Sequence, residues 1–242
     1  MTKIMAHRGA SNIAPENTMA AFIKAKALGA YGVELDVHIL PDKTVVVHHD
    51  ARLGRCEDAD DNIYNYRYAT IKSFSVGEKF SPDFKNETVS YLDEVLKYLK
   101  ENCMFLNCEI KRDTGFCFAD EEEVIKLIDK YDMAENSIIS SFDHRLLSNI
   151  KKKHPDYKVG ILYSETFGID IIKYCIENSF DAVHPHFKLV DKAFVDKAHQ
   201  NGIEVNVWTV DNIEDIRRMN EYGVDNIISN DVETALKGVN NG

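Results

Sequence analysis

The chain has 242 residues, with 29 Lys and Arg against 40 Asp and Glu, for a formal net charge of −11. That length can bury a sizeable core and suits one α/β barrel or two smaller domains, of which a single domain over 1–242 is the simpler expectation. The negative charge would repel a polyanion over most of the surface, which sets aside nucleic-acid binding.

Strand-length and helix-length patterns then alternate along the chain. A strand at 3–6 precedes a helix at 16–28, which Pro15 or Asn17 can open and Gly29 can close, and a strand follows at 31–37. Only the turn 41–43 separates it from another β-rich run at 44–48, too short a link for a parallel crossover, so that run folds back as a hairpin. Residues 50–87, rich in Asp, Tyr, Asn and Ser, form a small insertion. Helix 91–100, strand 104–110, helix 121–131, strand 137–141, helix 144–153 and strand 158–163 come next. Helix 169–177, strand 182–184, helix 190–200, strand 204–209, helix 212–221 and strand 226–229 complete the series, with Gly202 and Gly223 as helix stops.

Eight such β/α units form either a closed barrel or an open doubly wound sheet. The first strand lacks a following GxGxxG turn, which favours an α/β (β/α)8 TIM barrel with the insertion after its second strand. The opening MTKIMAHRGA is charged where a secretory leader needs an apolar run, and no stretch is long and apolar enough to span a bilayer. A cytoplasmic location and no stable membrane insertion are therefore expected. Cys56, Cys103, Cys108, Cys117 and Cys175 are odd in number and lack a CxxC pair, so they are expected to be buried or half-buried free thiols.

Period-two alternation puts Glu34 and Asp36 on one face of the second strand and Val33, Leu35 and Val37 on the other. In a barrel the apolar face meets the helices, so the carboxylates point inward near the carboxyl end, where barrel sites open. The third strand repeats the pattern: Asn107, Glu109 and Lys111 alternate with Leu106, Cys108 and Ile110. Three clustered carboxylates would repel one another unless one is protonated or a cation intervenes, and an all-oxygen site for one divalent cation, Mg²⁺ or Ca²⁺, relieves this most directly. The plainer alternative is a network of ion pairs with Arg8 and Lys111.

His7 ends the first strand and His49 ends the hairpin, which brings two imidazoles to the same mouth. His38 and His48 face away from it by alternation. His144, His154 and His199 fall in helical, solvated positions, and His184 and His186 could line the mouth. Trp208 shares the inward face with Asn206 and either walls the substrate or packs as core.

These residues also carry a family resemblance. His7-Arg8-Gly9, Pro15-Glu16-Asn17-Thr18, Glu34-Leu35-Asp36-Val37, His49-Asp50 with Leu53 and Arg55, Glu109-Ile110-Lys111, Ser141-Phe142 and Trp208-Thr209-Val210 resemble, in order, the signatures of glycerophosphodiester phosphodiesterases. The resemblance runs through most of the chain and implies a (β/α)8 barrel. It implies that Glu34, Asp36 and Glu109 are metal ligands and that His7 and His49 are an acid–base pair. Arg8 and Lys111 would contact phosphate, and Trp208 and Phe80 would border the substrate. Two departures stand out, and both are expected to affect the rim more than the chemistry. Ser229-Asn230-Asp231 replaces a common threonine-aspartate sequence, and Arg55-Cys56-Glu57 lacks the usual paired threonines.

The implied reaction is hydrolysis of a small-molecule glycerophosphodiester, such as glycerophosphocholine or glycerophosphoethanolamine, to sn-glycerol 3-phosphate and an alcohol. His49 as base and His7 as acid is the favoured assignment, with water or the substrate's own 2-hydroxyl as nucleophile. The competing readings are a lysophospholipase D-type hydrolase of the same barrel group, a metal-free phosphoinositide-specific phospholipase C, which the carboxylate trio opposes, and a non-catalytic phosphodiester-binding protein. Oligomeric state is left open.

Overall fold

The computed structural model describes residues 1–112, 121–166 and 168–240, so Cys117 lies outside the described residues. The strands are β1 (Lys3–His7), β2 (Gly32–Ile39), β3 (Val45–Val47), β4 (Ser90–Tyr91), β5 (Phe105–Ile110), β6 (Ser137–Ser141), β7 (Val159–Tyr163), β8 (Ala182–Pro185), β9 (Glu204–Val207) and β10 (Asn226–Ser229). The helices are α1 (Met19–Leu28), α2 (Tyr68–Ile71), α3 (Leu92–Glu101), α4 (Glu122–Lys130), α5 (His144–Lys153), α6 (Ile171–Asn178), α7 (Lys192–Gln200), α8 (Ile213–Tyr222) and α9 (Val232–Asn240).

Parallel pairing runs β1-β10-β9-β8-β7-β6-β5-β2, and a β1–β2 pairing closes the ring. This is the expected (β/α)8 barrel. Strand alternation explains why it closes with a dry outer layer: Val33, Leu35 and Val37 are fully buried against the helices. Helix α3 answers with Leu92, Val95, Leu96 and Leu99 on one face, all in the same apolar core. Burying each such side chain contributes roughly 1.5–3 kcal/mol relative to exposure.

The hairpin also forms as expected: β3 pairs antiparallel with β2, Val37 opposite Val47. A short strand that the sequence did not reveal, β4, adds to its far side. Beyond β3 the chain leaves the barrel and builds a second apolar cluster from Leu53, Ile63, Tyr64, Ile71, Val76 and Val89, seated on Leu40 and Val46.

Some boundaries depart from expectation. Helix α1 starts at Met19 with Thr18 as cap, its hydroxyl accepting from the Ala21 N–H. Asn17 cannot be the cap, because it adopts φ 57 and spends its side chain on Asp36. Cys103 is exposed rather than buried, since it sits in the turn after α3 with φ 52. The closing helix α9 was not expected, and Gly238 within it explains both its weak signal and its fit. A Cβ there would come within 2.5 Å of Ile216 on α8. Among the described residues, no helix is long and apolar enough to cross a membrane.

Candidate active site

Strand register assembles the site. In the β1–β2 pair His7 lies beside Glu34, and in the β2–β5 pair Asp36 lies beside Glu109. The hairpin then brings the chain back over β2, with the His48 N–H donating to Asp36 O at 2.9 Å, so His49 emerges above the carboxylates. The result is one small open cavity of ≈ 60 Å³ bordered by His7, Arg8, Glu34, His49, Glu109 and Lys111. Asn107, Ser140 and Ile228 lie around it, and Phe142, Leu162 and Trp208 give it an apolar wall.

The backbone after β1 is bent for this purpose. Arg8 and Gly9 both take positive φ, 57 and 80, and a Cβ on Gly9 would lie 2.6 Å from that of Ala21. Only glycine permits that close approach of the turn to α1. The bend lets the Arg8 N–H donate to Glu34 Oε2 at 3.1 Å while its guanidinium turns to Glu16 at 2.9 Å and Asp36 at 3.3 Å. Asn17 holds Asp36 from the other side, donating from Nδ2 to Oδ2 at 2.8 Å. Lys111 Nζ bridges Asp36 Oδ1 at 2.8 Å and Glu109 Oε1 at 2.6 Å.

Glu34, Asp36 and Glu109 are all buried, and each offers an oxygen within 4.8 Å of the others. Oxygens around one hard cation at about 2.0–2.6 Å must lie within roughly 5 Å of one another, so the donor set fits such an ion in both spacing and chemistry. The electrostatics agree. Burial, with the charges of Asp36 and Glu109, pushes the Glu34 carboxyl well up. Burial, against the opposing pull of Lys111, pushes Glu109 up to about 7. Asp36 behaves oppositely: burial is outweighed by Lys111 and Arg8, which hold its carboxyl below the usual range. Two cationic side chains thus satisfy one carboxylate and leave the other two short of positive charge.

The two imidazoles are held differently. His7 Nδ1 faces Asn230 Oδ1 at 2.7 Å, and burial together with Arg8 lowers its pKa. His49 Nδ1 faces the carboxylate Asp50 Oδ1 at 2.7 Å. Burial again pulls it down, with Lys111 and Arg8 adding to that and Asp36 and Asp50 opposing. Asp50 is held in turn by Arg55, whose guanidinium also makes two bonds to Glu16, at 2.7 and 2.8 Å.

Trp208 lines the cavity, its Nε1–H donating to His184 O at 2.7 Å and its ring edge-on to Phe142. Phe80 does not line it: the ring packs against Phe84 in the insertion and is 45% exposed. His184 is fully buried within the barrel beside Asn206 rather than at the mouth, and burial drops its pKa to about 3. His38 and His48 do turn away from the cavity, to Tyr64 and Glu57. The helical histidines are not simply solvated: His154 pairs with Glu122, His199 with Asp225, and His144 Nε2 lies 3.1 Å from Leu162 O. The departure at Asn230 reaches past the rim to His7 itself. Glu16, Asp50 and Phe142 stand in the motifs that carry the resemblance but were given no site role, and Asn230 was read only as a departure at the rim.

Comparison with known proteins bears on this geometry. The sequence model of the glycerophosphoryl diester phosphodiesterase family matches residues 7–234. A glycerophosphodiester phosphodiesterase from Caldanaerobacter subterraneus subsp. tengcongensis is 36% identical over 241 residues, covering 100% of this chain and 99% of that protein. Among solved structures, an Oleispira antarctica phosphodiesterase in complex with the product sn-glycerol-3-phosphate is similar with a TM-score of 0.88 and 25% identity, covering 99% of this chain and 97% of the other. A glycerophosphodiester phosphodiesterase from Thermotoga maritima gives a TM-score of 0.79 and 26% identity over 98% of each chain.

Proposed function

This chain belongs to the glycerophosphoryl diester phosphodiesterase family and is an enzyme of that activity, and from that premise we propose how its residues divide the reaction. The substrate is a small glycerophosphodiester such as glycerophosphocholine or glycerophosphoethanolamine, and the products are sn-glycerol 3-phosphate and the alcohol. Glu34, Asp36 and Glu109 hold one divalent cation, Mg²⁺ or Ca²⁺, which when bound offsets charge on the phosphoryl oxygens. The observation that carries this reading is the convergence on one cavity of that trio, two imidazoles and two cationic side chains.

Arg8 and Lys111 line the cavity while tied to Asp36, so their charge is fixed in place where a phosphodiester would enter. One imidazole takes the proton of the attacking hydroxyl as the new P–O bond forms. The other gives a proton to the alcohol oxygen as the old bond breaks. The Nδ1 partners favour His7 as acceptor and His49 as donor, the reverse of the assignment favoured from sequence. A carboxylate, Asp50, stands behind His49 and stabilises its protonated ring, whereas a neutral amide stands behind His7. Phe142 and Trp208 border the mouth, where the alcohol would lie.

The test is release of the alcohol from glycerophosphocholine, glycerophosphoethanolamine and lysophosphatidylcholine, each with Mg²⁺, Ca²⁺ or chelator, the other product being sn-glycerol 3-phosphate from the first two and lysophosphatidic acid from the third. Turnover of the first two with metal and none with chelator is expected. Turnover confined to lysophosphatidylcholine would favour a lysophospholipase D reading, and turnover unaffected by chelator would remove the metal from the account.

A further inference from the structure

The amide that faces His7 is itself fixed from behind. Asn230 Nδ2 donates to Asp211 Oδ2 at 2.7 Å, and the Asn230 backbone N–H donates to Asp211 Oδ1 at 2.8 Å. Ser229 Oγ donates to the same Oδ1 at 3.0 Å, so the carboxylate is anchored by three donors. Turning the Asn230 amide over would set its carbonyl oxygen against the Asp211 carboxylate and its NH₂ against His7 Nδ1. Asp211 therefore excludes the turned amide on chemical grounds. An Oδ1 facing Nδ1 at 2.7 Å needs a hydrogen on that nitrogen. In the neutral ring the lone pair then belongs to Nε2, the nitrogen 3.9 Å from Glu34 Oε2. Ser11 adds a third tie, its Oγ lying 2.8 Å from both His7 O and Asn230 Oδ1.

We infer that Asp211, Asn230 and Ser11 form a positioning relay that holds His7 in the Nδ1–H tautomer and presents a bare Nε2 to the cavity. None of the three borders the cavity, so they act through His7. The relay joins the loop after β9 and the end of β10, where Asp211 and Asn230 are 19 residues apart, to the turn after β1, which lies 219 residues from Asn230 at Ser11. A neutral amide orients the ring without adding a charge beside three carboxylates, which a carboxylate at the same position would do. The inference rests on the reading of His7 as an acid–base residue.

The experiment is long-range ¹H–¹⁵N NMR of the His7 ring in the full chain with Mg²⁺, beside kcat and KM on glycerophosphocholine. The wild-type ring is expected to carry its proton on Nδ1. Asn230→Leu should give a mixture of tautomers and lower kcat by about 10–100-fold, with KM changed by less than about threefold. Asp211→Asn alone frees the amide to turn over and should cost less. The exchanged pair Asp211→Asn with Asn230→Asp rebuilds every hydrogen bond with the charge moved one residue closer to His7. It should recover the Nδ1–H tautomer and raise kcat above that of Asn230→Leu, though below the wild type because the added charge remains.

A wild-type Nε2–H ring would overturn the relay, as would an Asn230→Leu variant with unaltered tautomer and kcat. An exchanged pair no better than Asn230→Leu would do the same. Should Asn230→Leu fail to fold, the wild-type ring and the exchanged pair still decide. Near-normal turnover in His7→Ala would sink the acid–base reading itself. A crippled His7→Ala beside an unaffected Asn230→Leu would sink the relay alone.

Discussion

The two sides of the cavity are built on different foundations. His7 stands on a barrel strand, walled by the main core, and its ring meets a neutral amide anchored by Asp211 in the adjacent loop. His49 stands at the exit from β3, where the chain leaves the barrel for the insertion. Its ring meets Asp50, and the chain of charges continues through Arg55 to Glu16 and back to Arg8. The Arg55 side chain is 47% exposed, so this second support sits largely in water. One ring therefore meets a neutral amide and the other a carboxylate within a chain of ion pairs, which makes the His49 side the more responsive to salt.

The largest effects should come from the rings themselves. His7→Ala and His49→Ala should each lower turnover by roughly 10²–10⁴-fold in a steady-state assay. A near-normal rate in either would remove that residue from the reaction and leave the comparison one-sided.

Next in size is the buried pair that docks the insertion behind His49, His48 Nε2 to Glu57 Oε1 at 2.6 Å. Against the pull of burial, the Glu57 carboxylate raises His48 above its ordinary 6.5, and against burial His48 lowers Glu57 below its ordinary 4.5. The raised group stabilises the fold fully below pH 6.5, and that stability is lost as pH rises through the folded value. The lowered group stabilises it above pH 4.5, and that is lost as pH falls through the folded value. Glu57→Gln should thus cost about 2–3 kcal/mol in urea unfolding. The deficit should be greatest between pH 4.5 and 6.5 and shrink on either side. A deficit independent of pH would mean that the pair is neutral in the folded protein.

The smallest effect belongs to the rim. Arg55→Leu should lower kcat by less than about tenfold, since half-exposed ion pairs contribute about 0–1 kcal/mol. Added salt should slow the parent enzyme more than the variant. A loss larger than that of Asn230→Leu would invert the ranking of the two sides.

Much of this was readable from period-two alternation alone. Glu34, Asp36, Glu109 and Lys111 declared their shared face because each alternates with fully or nearly fully buried apolar neighbours. The chain's return as a hairpin was dictated by a turn too short for a crossover. What alternation does not carry is partnership across the ring. Asn230 lies 223 residues from His7, and only barrel closure makes them neighbours. Asn17 read as a helix cap because its type suits one, yet Asp36 claims its side chain. Phe80 took its expected role from resemblance, with no periodic pattern behind it, and here its ring belongs to Phe84.

The proposed cation site of Glu34, Asp36 and Glu109, facing both imidazoles, is open to direct observation. Anomalous diffraction from crystals soaked in Mn²⁺ as a stand-in divalent ion tests it most directly. One strong peak in contact with all three carboxylates is expected in the parent protein, lost or greatly weakened in Glu34→Gln. A trio without a peak, or a peak undiminished in the variant, would contradict it.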